Sequence, residues 1–196
     1  MKIIITGSKG QLGQALIKTN PLFLKNDEIE IIPTTKEDLN LLNLNQCKNF
    51  IEDIKPDWII NAAAFTGVDE AESKVKTAFS VNSEAPEYLA KLLQKQTGKM
   101  IQISTDFVFH GKQGKPYKAK DKLNPLSIYG ESKAQGERAV SNILKERSSI
   151  IRTSWLYGPI GKNFLLSILK LHKIKSEKGE CLKVVADQVG CPTSTR

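Results

Sequence analysis

Two residues in the second half of the chain, Tyr129 and Lys133, have types and spacing that can do chemistry. They stand four positions apart in the string YGESK, so a helix would place them on one face about one turn apart. An ammonium group beside a phenol favours the phenolate, and we therefore expect Lys133 to lower the pKa of Tyr129 from its usual value of about 10. Such a tyrosine serves as an acid–base group near neutral pH. Taken alone, the same spacing is also typical of an amphipathic helix surface.

A second pattern lies at the start of the chain, where Gly7, Gly10 and Gly13 separate a β-branched run from an apolar helix pattern. In a dinucleotide-binding turn, successive glycines allow a tight turn, a close approach to pyrophosphate and close packing of helix on sheet. The N-terminus of the following helix would offer N–H groups and partial positive charge to the phosphates. The spacing is GxxGxxG rather than GxGxxG, so a purely structural loop is the open alternative.

Small and polar residues follow the other expected strands. Thr35 and Lys36 supply a hydroxyl and an ammonium group that can receive the 2′-phosphate of NADP, or alternatively form a solvated loop. The run of three alanines that starts at Ala62 leaves room for a flat ring, or alternatively packs tightly in a core. Thr105 can hydrogen-bond a substrate carbonyl beside Tyr129, because ligands bind at the carboxyl edge of open α/β sheets.

These residues must be positioned by the strands and helices of the fold. Strand and helix patterns alternate along the chain. Strands are predicted at residues 2–6, 28–35, 57–64, 99–105 and 148–158, with a further short strand after residue 181. Helices are predicted from residue 11 to a stop at Asn20-Pro21, and at 43–55, 73–96, 127–144 and 163–174. Strands separated by helices of this length require right-handed crossovers. We therefore expect an α/β fold, a Rossmann-like doubly wound parallel sheet with helices on both faces.

Composition excludes several classes of protein. The net charge of +8 comes from scattered lysines without a nucleic-acid-binding motif, so we expect no nucleic-acid partner. We also expect no membrane partner, because no apolar run approaches the roughly 18 residues of a membrane span. Three cysteines without a CxxC pair, together with two histidines, argue against a disulfide framework and a metal site. These features predict a cytoplasmic protein.

The patterns together resemble an extended short-chain dehydrogenase/reductase. They are the glycine turn, the Asn61-Ala-Ala-Ala turn, Ser104-Thr105-Asp106 and the Tyr129–Lys133 pair. Longer strings are similar to the dTDP-4-dehydrorhamnose reductase family over the whole chain: GQLGQAL, NAAAFTGVDEAE, STDFVFHG, NPLSIYGESKAQGE, RTSWLYG and DQVGCPT. This resemblance implies hydride transfer from NADPH, with some tolerance of NADH, to the C4 ketone of dTDP-4-dehydro-L-rhamnose.

The resemblance also implies roles for single residues. Tyr129 would be the general acid, Lys133 would bind the nicotinamide ribose and tune Tyr129, and Thr105 would orient the carbonyl. The expected cofactor site, which also includes Tyr129 and Lys133, consists of Gly7, Gly10, Gln11, Leu12, Gly13, Thr35, Lys36, Ala62, Ala63, Ala64 and Thr66. The expected sugar contacts are Val68, Thr105, Asp106, Tyr129 and Trp155. For Trp155, a buried core position is the alternative.

The resemblance further implies a division into domains. Family members continue beyond Arg196 into a smaller domain that contacts most of the dTDP and forms the dimer surface of some members. We therefore expect residues 1–170 to form the NAD(P)-binding Rossmann domain and residues 171–196 to begin a substrate domain that is largely missing, with a homodimer as one assembly. Two alternatives stay open: a nucleotide-sugar epimerase or dehydratase of the same superfamily, and a non-catalytic NAD(P)-binding subunit.

Overall fold

The computed structural model of the protein describes residues 1–23 and 29–195. Within these residues, parallel strands form one five-stranded sheet in the order β2-β1-β3-β4-β5. The strands are β1 (Lys2–Thr6), β2 (Glu30–Thr34), β3 (Trp58–Asn61), β4 (Lys99–Thr105) and β5 (Ser148–Thr153). Their apolar, β-branched residues suit a parallel sheet that helices cover. The predicted Rossmann-like α/β fold is confirmed.

Helices connect the strands and begin at defined caps. They are α1 (Gln11–Phe23), α2 (Leu44–Ile54), α3 (Val68–Ser73), α4 (Val75–Phe79), α5 (Ala85–Gln96), α6 (Ile128–Leu144) and α7 (Phe164–Glu177). The side chains of Asn43, Ser127 and Asn163 each accept a hydrogen bond from a backbone N–H in the first turn of α2, α6 and α7. None of the helices in the described ranges is both long and apolar enough to cross a membrane.

Two of the helix predictions are wrong in detail. The stop expected at Asn20-Pro21 is wrong, because α1 continues to Phe23. The single helix expected over residues 73–96 runs from Val75 to Gln96, but a π-helical turn at Ser80–Glu84 interrupts its α-helical pattern between α4 and α5. Such turns occur frequently at functional sites, and this one contains the buried Asn82. The short helix α3, which Lys74 (φ −111°) separates from α4, was not predicted.

Two of the strand predictions are also wrong in part. The strand predicted to reach residue 158 ends at Thr153, because Trp155 has a φ of 46° and cannot continue an extended strand. The short strand predicted after residue 181 does not form within the described residues. Instead, Ser194 makes an isolated parallel bridge to Tyr157. The backbone of this segment therefore pairs with the loop that follows β5.

The strand order places a crevice between β1 and β3. The chain leaves β1 for β2 on one side and then crosses back over β1 to β3 on the other side. In open α/β sheets, ligands bind at the carboxyl ends of the strands where the order reverses in this way. Gly7 follows β1 and Ala62 follows β3, so the two predicted turns face the same crevice.

The hydrophobic core packs the helices against the strands of the sheet. Its largest fully buried members come from three strands and from α2, α5 and α6: Ile4, Ile51, Ile59, Leu89, Leu93, Met100 and Val140. A smaller cluster of Val108, Phe109 and Ala134 anchors the lysine-rich loop after β4. In that cluster the rings of Phe109 and Tyr117 stack with centroids 4.2 Å apart.

One ion pair fastens α6 to β5. Arg152 Nε lies 2.9 Å from Glu137 Oε1, and Arg152 Nη2 lies 2.6 Å from Glu137 Oε2. The Glu137 side chain is only 3% exposed. Arg152 also donates to the carbonyl of Ala119 and lies over the ring of Phe109. Since Tyr129 and Lys133 are on α6, this pair helps to fix their position.

We predict that Glu137→Gln lowers the free energy of unfolding by about 2–4 kcal/mol, because it leaves the charge of Arg152 without its buried partner. Glu131→Gln, on the same helix, removes one member of an exposed pair whose N···O distance is 3.9 Å. This control should change stability by less than about 0.5 kcal/mol. Urea unfolding of both variants measures the difference. Equal effects would show that the buried pair does not hold α6.

Candidate active site

The glycine turn packs directly against the turn that follows β3. Gly7 has a φ of 66°, and a Cβ at this position would lie 2.8 Å from the backbone nitrogen of Ala63. A Cβ on Gly13 would overlap the carbonyl oxygen of Gly7, so α1 starts against the turn itself. These close approaches explain why glycine is needed. They also leave the N-terminus of α1 open to the crevice, where it favours anions.

A cleft of about 970 Å³ runs along the carboxyl edge of the sheet. The structure brings every predicted site residue to its wall. From the expected cofactor site these are Gly7, Gly10, Gln11, Leu12, Gly13, Thr35, Lys36, Ala62, Ala63, Ala64, Thr66, Tyr129 and Lys133. From the expected substrate contacts they are Val68, Thr105, Asp106, Tyr129 and Trp155. This shared location supports a single site, and the roles of the individual residues stay predictions.

A row of buried polar side chains supports the floor of the cleft. Thr6 Oγ1 donates to Asn61 Oδ1 over 2.5 Å, and Asn61 Nδ2 donates to Gln102 Oε1 over 2.8 Å. The Thr6 hydroxyl also accepts a hydrogen bond from the backbone N–H of Ala63. Because all three side chains are at most 2% exposed, each depends on its partners for hydrogen bonding. The row therefore joins the last residues of β1 and β3 to Gln102 of β4, near the strand ends that line the cleft.

At the end of β2, cations and hydroxyls surround the far end of the cleft. The Thr35 hydroxyl donates to Asp38 Oδ2 over 2.7 Å. Lys9 lies 3.2 Å from Glu37 on the surface. Lys9 and Lys36 both line the cleft, and Lys9 is not among the residues predicted for it.

The catalytic candidates meet where α6 approaches the end of β4. The cap at Ser127 starts α6, and Tyr129 lies in the first turn of that helix. Burial raises the pKa of Tyr129, a hydrogen bond with Thr105 opposes that rise, and the Asp106 carboxylate adds to it. The ring of Phe107 meets Tyr129 edge to face, with centroids 5.7 Å apart. Tyr129 is therefore a protonated phenol at neutral pH.

Lys133 lies deeper in the same wall. Its Nζ donates to the carbonyl of Ile103 over 2.6 Å, and the residue is only 4% exposed. Burial lowers the pKa of Lys133 to about 8, and the Glu137 carboxylate opposes that shift. The expected lowering of the Tyr129 pKa by Lys133 is wrong in this structure, because desolvation of the phenol dominates.

The substrate-side candidates Asp106 and Trp155 also line the cleft. Asp106 Oδ1 accepts a hydrogen bond from Thr105 Oγ1 (3.1 Å), and its Oδ2 accepts one from Ser154 Oγ (2.8 Å). Trp155 is 43% exposed, so the alternative of a buried core position for it is wrong. It lines the cleft while remaining accessible to solvent.

Three polar side chains hold segments of the site together. The sequence did not predict a role for Asn82 or Ser154, and it predicted Gln11 only as a cofactor contact. Asn82, in the π-helical turn, bonds both the N–H and the carbonyl of Phe65 and also Ser132 Oγ. Ser154 anchors Asp106. Gln11 lines the cleft as predicted, but its side-chain amide donates to the carbonyl of Leu156. No local pattern signals these bonds, because each joins segments that are far apart in the chain.

Comparison with known proteins agrees with this geometry. The family model described as RmlD substrate binding domain matches residues 1–196. The chain belongs to that family. It is 41% identical over 192 residues to a dTDP-4-dehydrorhamnose reductase from Aggregatibacter actinomycetemcomitans, covering 98% of this chain and 63% of that protein. The resemblance found from the sequence is confirmed.

Solved structures of the same family superpose closely. A dTDP-4-dehydrorhamnose reductase from Clostridium acetobutylicum matches with a TM-score of 0.91 and 40% identity, covering 100% of this chain and 66% of that one. Another from Bacillus anthracis, solved in complex with NADP, matches with a TM-score of 0.90 and 37% identity over 99% of this chain and 66% of that one. The chain thus spans slightly less than two thirds of the length of these relatives.

We predict that Lys133 makes stability depend on pH in a characteristic way. Its pKa is lowered in the folded state, so between pH 7 and 9.5 the unfolded chain binds more protons at this residue than the folded chain does. Stability contributed by Lys133 is therefore regained as pH rises. Relative to Lys133→Met, the wild-type free energy of unfolding should increase by about 2 kcal/mol over that range.

Urea unfolding of both proteins at several pH values measures this difference. Lys99→Met is a matched control, since Lys99 is an exposed residue at the start of β4. A constant difference between wild type and Lys133→Met would contradict the lowered pKa.

Proposed function

We propose that this chain is the cofactor-binding and catalytic part of an NADPH-dependent reductase. Its substrate would be dTDP-4-dehydro-L-rhamnose, reduced at the C4 ketone to give dTDP-L-rhamnose. The observation that carries the proposal is that Thr105, Tyr129 and Lys133 lie on the same cleft as the glycine turn. Relatives 41% and 40% identical are named dTDP-4-dehydrorhamnose reductase, which supports the substrate class.

The wall of the cleft fits a dinucleotide. Any side chain on Gly7 would fill the space beside Ala62 and Ala63, so this surface is bare backbone that a pyrophosphate can approach. The 13-residue helix α1 directs its N-terminal N–H groups to the same place. At the end of β2, Lys36 and Lys9 suit the 2′-phosphate of NADP rather than the bare hydroxyl of NAD. The relative from Bacillus anthracis was solved with NADP, and NADH remains a second, weaker cofactor in this proposal.

The residues of α6 and β4 would perform the proton transfer. When bound, NADPH supplies the hydride. Tyr129, a protonated phenol at neutral pH, would donate its proton to the oxygen at C4. Thr105 would hold the same oxygen in line with the phenol. Lys133, mostly protonated at pH 7 with a pKa of about 8, would bind the ribose hydroxyls from below.

The substrate would contact Val68, Asp106 and Trp155, which line the same cleft. Trp155 would offer a flat apolar surface to the sugar ring. We place the cofactor domain at residues 1–170 and the beginning of a substrate-binding region at residues 171–196.

A reducing cytoplasm suits the exposed thiols of Cys181 and Cys191.

We predict that Tyr129→Phe lowers the rate of NADPH oxidation with dTDP-4-dehydro-L-rhamnose by about 10²- to 10⁴-fold, because it removes the proton donor. The dissociation constant for NADPH should hardly change. Tyr88→Phe, on α5 and outside the cleft, is the matched control and should keep full activity. The absorbance of the reduced nicotinamide follows the reaction.

Other outcomes of this assay would favour other functions. Unchanged activity in Tyr129→Phe would overturn the mechanism. NADPH binding without oxidation in the wild type would favour a non-catalytic subunit. NAD that stays bound through purification would favour an epimerase or dehydratase.

We also predict that Lys36→Ala raises the dissociation constant for NADPH by about three- to fivefold and leaves that for NADH unchanged, because an exposed charge pair contributes less than about 1 kcal/mol. Lys112→Ala, in the exposed loop after β4, is the control for overall charge. Calorimetric titration with both cofactors measures the ratio. An equal loss for NADPH and NADH would place the 2′-phosphate elsewhere.

A further inference from the structure

We propose that residues 190–195, here called the clasp, position Trp155 and Asp106 and so set the shape of the substrate-side wall. This inference rests on the proposed function, because it assigns to the clasp the orientation of groups that would contact the sugar. The clasp itself does not line the cleft. Its residues are therefore positioning residues rather than catalytic ones.

The need for a positioning element begins with the backbone of Trp155. Its φ of 46° lies in the left-handed region, which a bulky residue rarely adopts. Such a conformation is strained and persists only where the surroundings enforce it. Trp155 is 43% exposed, so core packing does not supply that enforcement. Hydrogen bonds on either side of the residue must do so.

Thr193 supplies those hydrogen bonds. Its N–H donates to the carbonyl of Ser154 (3.0 Å), and its hydroxyl accepts from the N–H of Ser154 (3.2 Å). Its carbonyl accepts from the N–H of Tyr157 (3.0 Å), and the N–H of Thr195 donates to the carbonyl of Tyr157 (2.9 Å). One residue thus binds the backbone before Trp155 and after it. The loop that carries the indole is closed by the clasp.

Gly190 acts on the indole directly. A Cβ at this position would lie 2.9 Å from both Cε2 and Cζ2 of Trp155, and 3.2 Å from Cδ2. The glycine backbone therefore covers part of the ring, and any larger residue would displace it. The adjacent Val189 is fully exposed and touches nothing that bears on the site.

The clasp also reaches the catalytic candidates through Ser154. Thr193 holds the backbone of Ser154, whose hydroxyl donates to Asp106 Oδ2 over 2.8 Å. Asp106 Oδ1 accepts from Thr105, which in turn hydrogen-bonds Tyr129. A shift of the clasp would consequently move the apolar wall and disturb the carboxylate beside the proton donor.

Fluorescence of Trp155 tests the positioning directly. The chain contains two tryptophans, so in a Trp58→Phe background the emission comes from Trp155 alone. Gly190→Ala and Thr193→Val should each increase quenching by acrylamide and lower the anisotropy, since the indole loses its support. Val189→Ala should match the parent, and Thr193→Ser, which keeps the hydroxyl, should restore the parental signal. Unchanged quenching in both Gly190→Ala and Thr193→Val would overturn the proposal.

Kinetics separate this inference from the proposed function. In the active protein, Gly190→Ala should lower kcat/KM for the sugar by about tenfold or more, mainly through KM, because small displacements in a site have large effects. The dissociation constant for NADPH should stay at the parental value. Loss of NADPH binding would contradict a role confined to the substrate wall. If instead Tyr129→Phe kept full activity while the fluorescence changed as expected, the proposed mechanism alone would fail.

Discussion

The site depends on the buried hydrogen-bonded row that joins Thr6, Asn61 and Gln102 across β1, β3 and β4. Each amide or hydroxyl in that row is enclosed, so a change of register would leave polar groups without partners, at about 1–3 kcal/mol each. The row lies close to the carboxyl ends of the three strands. It therefore fixes the relative heights of the glycine turn, the alanine turn and Thr105. A cleft built from three separate strand ends needs such a constraint.

The chemistry of the cleft depends on how deeply the side chains of α6 are buried. Helix α6 is held against β4 by Lys133, which donates to Ile103, and against β5 by the pair of Glu137 and Arg152. Burial keeps the Tyr129 phenol protonated and lowers the pKa of Lys133, so the wall presents a proton donor above a weakly acidic ammonium group. A protonated phenol can donate its proton to a carbonyl oxygen, and desolvation makes this phenol a weaker acid than a free tyrosine.

The sequence predicted the five strands of the sheet, most of the helices and a set of residues that all line the cleft, because hydrophobic periodicity and strand-end motifs are local signals. It did not reveal the π-helical turn at Asn82 or the positive φ of Trp155. These features depend on tertiary hydrogen bonds to Phe65, Ser132 and Thr193, which no spacing encodes. The effect of Lys133 on Tyr129 was also misjudged, since helical spacing says nothing about the burial of the phenol.

A calorimetric titration of NADPH into the chain and into its Gly7→Val variant tests the dinucleotide site most directly. We expect one molecule of NADPH bound per chain, and loss of that binding in Gly7→Val, because a side chain there would meet the backbone of Ala62 and Ala63. Saturable binding that Gly7→Val leaves unchanged would contradict a dinucleotide site at this edge of the sheet. So would the absence of NADPH binding to the folded wild-type chain.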